Sequence, residues 1–176
     1  AMLEANSVAS SYIPTNGSII QRAAETCNGS GNSEVFNSSQ GVVFADISAF
    51  SETGSAGLIS LSDGTTSNRV TIELDGNIVK GRFTPSIGVL NSSTNITLST
   101  KVALKYKEDD FALWVNGFEA AVINLGNTFS DGTLTELAFD RGDGVEDFYG
   151  NTKQIAYYDE ILTDLELEKL TSYRSL

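Results

Sequence analysis

The chain contains no histidine. Without it a Ser-His-Asp triad, a Cys-His pair, an imidazole proton shuttle and histidine-ligated zinc or iron cannot be built, and most hydrolase chemistries go with them. Cysteine occurs once, at Cys27, so no disulfide can close within the chain; the residue reads as a packed or idle thiol. Basic residues are scarce. Eleven Lys and Arg stand against 23 Asp and Glu, a net charge of −12 that repels the phosphates of nucleic acid and the anionic face of a membrane. No nucleic acid is expected as a partner. No apolar run approaches the ~20 residues that a membrane-crossing helix needs, so membrane insertion is not expected either.

What is present is ordinary for a globular protein: 176 residues, 40% of them hydrophobic and 9% aromatic. A chain of this length suits one sizeable domain, which buries roughly 70% of its unfolded surface and needs no covalent staple. Ala1-Met2 reads as a cloning scar, residues 1–10 as that scar plus a linker from an upstream domain, and 11–176 as one domain.

Turn signals recur at short intervals: Asp63-Gly64, Asp75-Gly76, Asn116-Gly117, Asp131-Gly132 and Asp143-Gly144. Such pairs supply the positive φ angles that tight hairpins demand. The segments between them alternate. In Arg69 to Leu74, Val70, Ile72 and Leu74 share one face while Thr71 and Glu73 share the other; Lys101 to Tyr106 and Phe111 to Val115 flank the charged turn Lys107-Glu108-Asp109-Asp110. Further strands are expected at Gly41 to Ile47, Gly57 to Leu61, Asn77 to Thr84, Asn95 to Ser99, Ala120 to Ile123, Leu134 to Asp140 and Gln154 to Tyr158. About ten short strands with polar turns predict an all-β, antiparallel sandwich. One helix is expected, at the C-terminus. Thr163-Asp164-Leu165-Glu166 fits a capping box, Leu162 and Leu167 occupy the staple positions, and Leu167 and Leu170 give the helix an apolar edge.

With histidine gone, carboxylates are what remains for acid–base catalysis. Glu73-Leu74-Asp75 begins the alternating acidic pattern of sandwich glycanases, but Gly76-Asn77 turns the chain and no third acid follows. No enzyme is expected. The acidic loop Asp140-Arg141-Gly142-Asp143-Gly144-Val145-Glu146-Asp147 groups hard oxygens with two glycines, so Asp140, Asp143 and Asp147 form a candidate Ca²⁺ site; its spacing differs from an EF-hand loop, and an ordinary surface loop is the alternative. Aromatic rings are the other candidates, because the C–H face of a pyranose stacks on a π-face while polar neighbours bond its hydroxyls. Trp114 shares a strand side with Ala112 and Asn116, opposite Phe111, Leu113 and Val115. If the aliphatic side alone is core, Trp114 looks outward; if both sides are covered, it is core. In Phe148-Tyr149 and Tyr157-Tyr158, alternation sends one ring of each pair to either side. Trp114, Asn116 and Tyr149 are the candidate ligand contacts.

The opening Leu3-Glu4-Ala5-Asn6-Ser7-Val8-Ala9-Ser10-Ser11-Tyr12-Ile13-Pro14-Thr15, followed by Gln21-Arg22-Ala23-Ala24-Glu25, resembles the junction motif by which bacteriophage and prophage tail-fibre or virion structural proteins enter a concanavalin A-like, laminin-G-like sandwich. Asn6 stands where that family usually has Gly, Gln21 where it has Thr, and Glu25 where it has Asp. Phe36-Asn37-Ser38-Ser39-Gln40-Gly41, Leu61-Ser62-Asp63-Gly64 with Asn68-Arg69, and Phe111-Ala112-Leu113-Trp114-Val115-Asn116-Gly117 are similar to later blocks of the family, and Ile155 to Leu167 is similar to its closing motif. The resemblance implies a jelly-roll β-sandwich of two antiparallel sheets and a place in a virion, and it carries over no ligand residues. The expected function is that of a non-catalytic, lectin-like module binding a glycan or polysaccharide on the bacterial surface. A structural domain that packs against other domains or copies of the virion fibre is the alternative, and a glycanase is a third reading.

Overall fold

The computed structural model describes residues 30–49, 55–76, 78–85, 88–92 and 99–173. The junction motif and the expected linker lie outside them, as does most of the expected strand at Asn95 to Ser99. Ten strands and one helix follow in order: β1 (Gln40–Ala49), β2 (Ser55–Ser62), β3 (Arg69–Asp75), β4 (Ile78–Thr84), β5 (Gly88–Asn91), β6 (Thr100–Lys107), β7 (Phe111–Val115), β8 (Phe118–Ile123), β9 (Glu136–Ala138), β10 (Gly150–Tyr158) and α1 (Asp164–Thr171). They form two five-stranded sheets, ordered β10-β1-β6-β7-β8 and β5-β4-β3-β2-β9, with every pairing antiparallel.

The turn chemistry explains the hairpins. Asn116 and Gly117 both have positive φ, 52° and 86°, and Val115 pairs with Phe118 around them, the geometry of a two-residue type I′ loop. Gly76 (φ 58°) turns β3 into β4, with Asp75 paired to Ile78. Asp63 instead anchors a longer loop: its Oδ1 accepts from the Thr65 N–H at 2.9 Å and Thr65 Oγ1 at 2.6 Å, and its Oδ2 from Asn68 Nδ2 at 2.7 Å. Asp131-Gly132 and Asp143-Gly144 turn irregular connections, so the expected strand at Leu134 to Asp140 shortens to the three residues of β9. Strand β5 was not anticipated, because four residues are too few for a periodic signal.

Alternation places Val43, Ala45 and Ile47 of β1, Val70, Ile72 and Leu74 of β3, Val102, Leu104 and Tyr106 of β6, and Phe111, Leu113 and Val115 of β7 between the sheets. Gly81 sits on the inward side of β4, where a Cβ would overlap Leu104, so glycine lets the two sheets close there. The rings of Phe83 and Phe111 meet edge to face across the core at 5.0 Å. At one end Tyr106 donates to the Asn37 carbonyl at 2.6 Å and lies 3.0 Å from the Tyr157 hydroxyl, which accepts from the Asn37 N–H at 2.8 Å. Burial, then the Tyr157 hydrogen bond, pushes the Tyr106 phenol far above its usual range.

A second, smaller core lies on the outer side of the β1-β6-β7 sheet. Helix α1 covers it, seating Leu167 on Val42, Phe44, Ala103, Ala112 and Trp114, with Leu162 and Leu170 at the margin. The expected capping box holds the helix start: the Thr163 N–H donates to Glu166 at 2.8 Å, and the Glu166 N–H donates back to Thr163 Oγ1 at 3.4 Å. Lys105, nearly buried beneath this end, pairs with Asp110 at 2.5 Å and reaches Asp164 at 3.9 Å. No helix among the described residues is long and apolar enough to cross a membrane.

Candidate functional site

The structure separates the residues singled out from the sequence. Trp114 is 7% exposed and belongs to the core under α1, so both sides of its strand are covered and the indole offers no open platform for a sugar ring. Its N–H is buried and, among the described residues, has no hydrogen-bond partner. Asn116 lies at the β7–β8 turn, where its Oδ1 accepts from the Lys101 N–H at 3.0 Å. Tyr149 is 64% exposed just before β10. Three strand spacings separate β10 from β7, on the order of 14 Å, so Tyr149 does not join Trp114 and Asn116 in one site. The pairwise alternation holds: Phe148 and Tyr157 pack against the main core, Tyr158 against the second.

Within the acidic loop Arg141 forms ion pairs with two of its carboxylates. Arg141 donates to Asp143 through Nε at 3.1 Å and Nη2 at 2.8 Å, and to Glu146 through Nη1 at 2.5 Å. The Asp143 carboxyl is held below its usual range, chiefly by the hydrogen bonds from Arg141. Asp140 is buried and accepts from the Gly142 N–H at 2.6 Å, while Asp147 is exposed. Among the described residues no three His, Cys, Asp or Glu side chains converge on a cation position. Of the calcium candidates Asp140, Asp143 and Asp147, Asp143 is thus ion-paired to Arg141 and Asp140 accepts from the Gly142 N–H. Glu73 and Asp75 are likewise committed, to Arg82 at 2.8 Å and to Lys80.

The polar chemistry that sequence reasoning missed lies on the outer face of the β5-β4-β3-β2-β9 sheet. Strand register draws lateral rows there: Ala138, Ser60, Thr71, Arg82 and Val89 in one, Glu136, Ser62, Arg69 and Thr84 in the next, Leu58, Glu73, Lys80 and Asn91 in a third. Ser60 and Thr71 are directly opposite, so their Cβ atoms stand about 5 Å apart. Both hydroxyls are buried and, among the described residues, have no hydrogen-bond partner; Arg69 Nε is in the same condition. Arg69 Nη1 donates to the Arg141 carbonyl at 2.7 Å, tying the 140–147 loop to the margin of this face, where Asp147 and Phe148 lie against Gly57. Burial, then the charges of Arg82 and Arg141, draws the Arg69 pKa down: three guanidinium groups crowd one side of a strongly acidic protein. The signal was present in the alternation of Ser60, Ser62, Arg69 and Thr71 with apolar neighbours, but only the register brings Arg69 and Arg82 within about 8 Å of each other.

A concavity of about 330 Å³ opens at the end of α1 between Asn116, Gly117, Phe118, Glu168, Ser172 and Tyr173.

No protein-family model matches the chain, and no curated protein matches it. Solved structures do. The CBM40 module of the Ruminococcus gnavus IT-sialidase aligns with a TM-score of 0.67 at 19% identity, covering 85% of this chain and 97% of that one. The same module bound to α2,3-sialyllactose gives 0.65 at 18% over the same spans. A heptameric SAP-like pentraxin from Limulus polyphemus gives 0.63 at 14%, covering 82% of this chain and 74% of that one. At these identities the likeness shows the fold: the chain is a jelly-roll β-sandwich of the concanavalin A-like kind, as its two antiparallel sheets already indicate. Function must come from the surface this sandwich presents.

Proposed function

We propose that the domain is a non-catalytic carbohydrate-binding module, that it belongs to a phage tail-fibre or other virion protein, and that it recognises an anionic glycan on the bacterial surface. The binding face is the outer face of the β5-β4-β3-β2-β9 sheet. The observation that carries this reading is the cluster of Arg69, Arg82 and Arg141 at that face. Arg82 and Arg141 already hold carboxylates, but Arg69 has no ion pair among the described residues, and a carboxylate-bearing sugar would supply one, because guanidinium groups bind carboxylates in a forked, charge-assisted geometry. An anion there also relieves the mutual repulsion of the arginines. The folded likeness to a module solved with sialyllactose supports a sugar of this class, and the virion setting rests on the family resemblance of the sequence.

The test is calorimetric titration of the protein with 3′-sialyllactose and with lactose, extended to a glycan array of bacterial surface polysaccharides. Sialyllactose, or an acidic polysaccharide from the array, is expected to bind more tightly than neutral sugars, and Arg82→Ala to cost about tenfold or more in affinity with the fold intact. An absence of any glycan hit by the folded protein sinks the reading. Chelator is expected to leave affinity unchanged, since Arg141 occupies the Asp143 and Glu146 carboxylates.

One observation favours the structural alternative. Strand β8 is a sheet edge, and Val122 on it and Leu125 beyond it are exposed. A concentration-dependent mass in sedimentation, abolished by Val122→Lys with Leu125→Lys, would place assembly ahead of recognition.

A further inference from the structure

We propose a second saccharide site, distinct from the arginine face, in the cleft between the β7–β8 turn and the end of α1, and we assign it to an uncharged pyranose ring. The ligand class rests on the reading of the chain as a glycan-binding module; the site itself rests on its own geometry. Two aromatic rings border the cleft, Phe118 at 76% exposure and Tyr173 at 49%. Phe118 lies just past the turn that ends β7 and, among the described residues, belongs to neither core, so packing there does not account for an aromatic. Gly117 forms the floor: its φ of 86° requires glycine, and it brings only backbone up to Ser172.

The walls are already fixed. The Gly117 N–H donates to Thr171 Oγ1 at 3.0 Å, the Asn116 N–H donates to the Lys101 carbonyl at 3.0 Å, and Lys101 Nζ donates to the Ser172 carbonyl at 3.1 Å. The Tyr173 hydroxyl is bonded to the Ser99 carbonyl, which sets its ring, and Lys101 Nζ lies 5.5 Å from the ring centre. A ligand therefore meets a cleft that needs little ordering, which favours weak but specific binding. Two polar groups point to what it takes. Asn116 spends its Oδ1 on the Lys101 N–H and keeps its Nδ2 as a donor; the Glu168 carboxylate is an acceptor with no ion pair among the described residues. A donor and an acceptor flanked by aromatic rings match adjacent hydroxyls above a C–H face. The volume, about 330 Å³, is at the small end of ligand sites. The Glu168 carboxylate in the lining disfavours an anionic sugar, so the cleft takes a neutral ring where the arginine face takes an anionic one.

The experiment is an amide-resolved NMR titration of the whole chain with glucose, galactose, mannose and N-acetylglucosamine, each to about 50 mM, ample for the ~1 mM affinity of a single ring. At least one sugar is expected to shift the amides of Gly117, Phe118 and Ser172 in a saturable way. Phe118→Ala, at a side chain too exposed to threaten the fold, should weaken that binding about tenfold, while Arg82→Ala leaves it unchanged. Conversely, Phe118→Ala should spare binding at the arginine face, so each site can fail alone. The proposal is overturned if none of the four sugars moves these amides, if Phe118→Ala binds as the parent does, or if the same amides shift on dilution without sugar, which marks self-association.

Discussion

Trp114 shows how a residue can be chemically suited to a role and placed for another. Its indole fills the space between the β1-β6-β7 surface and Leu167, yet its N–H has no partner among the described residues. Truncation and trimming should therefore separate. Trp114→Ala opens a cavity under α1 and is expected to cost about 3–5 kcal/mol. Trp114→Phe loses some apolar area but also removes a buried donor whose desolvation was never repaid, so its cost should stay within about 1 kcal/mol. Urea denaturation reads both, and a phenylalanine variant as unstable as the alanine one would mean that the N–H is satisfied. Glycan affinity should be indifferent to Trp114→Phe. A similar contrast exists between Gly81 and Gly57. A Cβ at Gly81 presses on the movable end of Leu104, whereas at Gly57 (φ 92°) it meets the backbone of Asp147 and Phe148. Gly57→Ala should be the more damaging of the two.

At the scale of elements, loops held by side chains fail in ways that pH can expose. Burial opposes ionisation of Asp63, but hydrogen bonds from Asn68 and Thr65 outweigh it and hold the carboxyl below 3.8. A carboxylate favoured by folding contributes stability above its unfolded pKa and loses it as pH falls through the lower, folded value. Asp63→Ala is thus expected to cost about 1 kcal/mol near neutrality, and the gap to the parent should narrow below pH 3.8. A gap that persists unchanged at pH 2 would show that the carboxylate charge contributes nothing to the loop. In α1, Thr163→Ala removes one half of the capping box and should cost about 1 kcal/mol, read as loss of protection in the amides of 164–167. These elements were legible because their signals are local: Asn116-Gly117 and Thr163 to Glu166 specify their turns within four residues. The Asp143-Gly144 pair has the same chemistry, yet Arg141 draws its loop into a closed ion-paired knot, so no hairpin forms. Strand β5 was illegible for the opposite reason, being shorter than the pattern that reveals a strand.

For the whole molecule, the fold followed from alternation and turns, while the site depended on distances along the chain that alternation does not encode. Arg69 and Arg82 are thirteen positions apart, and Arg141 is far beyond both; only the β2-β3-β4 register and the return of the 140–147 loop gather them. That patch sits in a field set by a net charge of −12. An acidic polysaccharide approaching it is repelled at long range and attracted at short range, and salt acts on the two unequally. The screening length falls from about 30 Å at 0.01 M to about 8 Å at 0.15 M, which removes most of the long-range repulsion, while contacts to partly buried guanidinium groups are screened much less. The association rate for an acidic glycan should therefore rise over this range of salt, the reverse of what a basic protein shows with a polyanion. Dissociation should quicken only modestly. Stopped-flow or surface-based kinetics at three salt concentrations would resolve the two rates, and Arg82→Ala should raise the dissociation rate while leaving the salt dependence of association in place. An association rate that falls with salt would mean that the arginine patch, not the whole-molecule charge, steers the encounter.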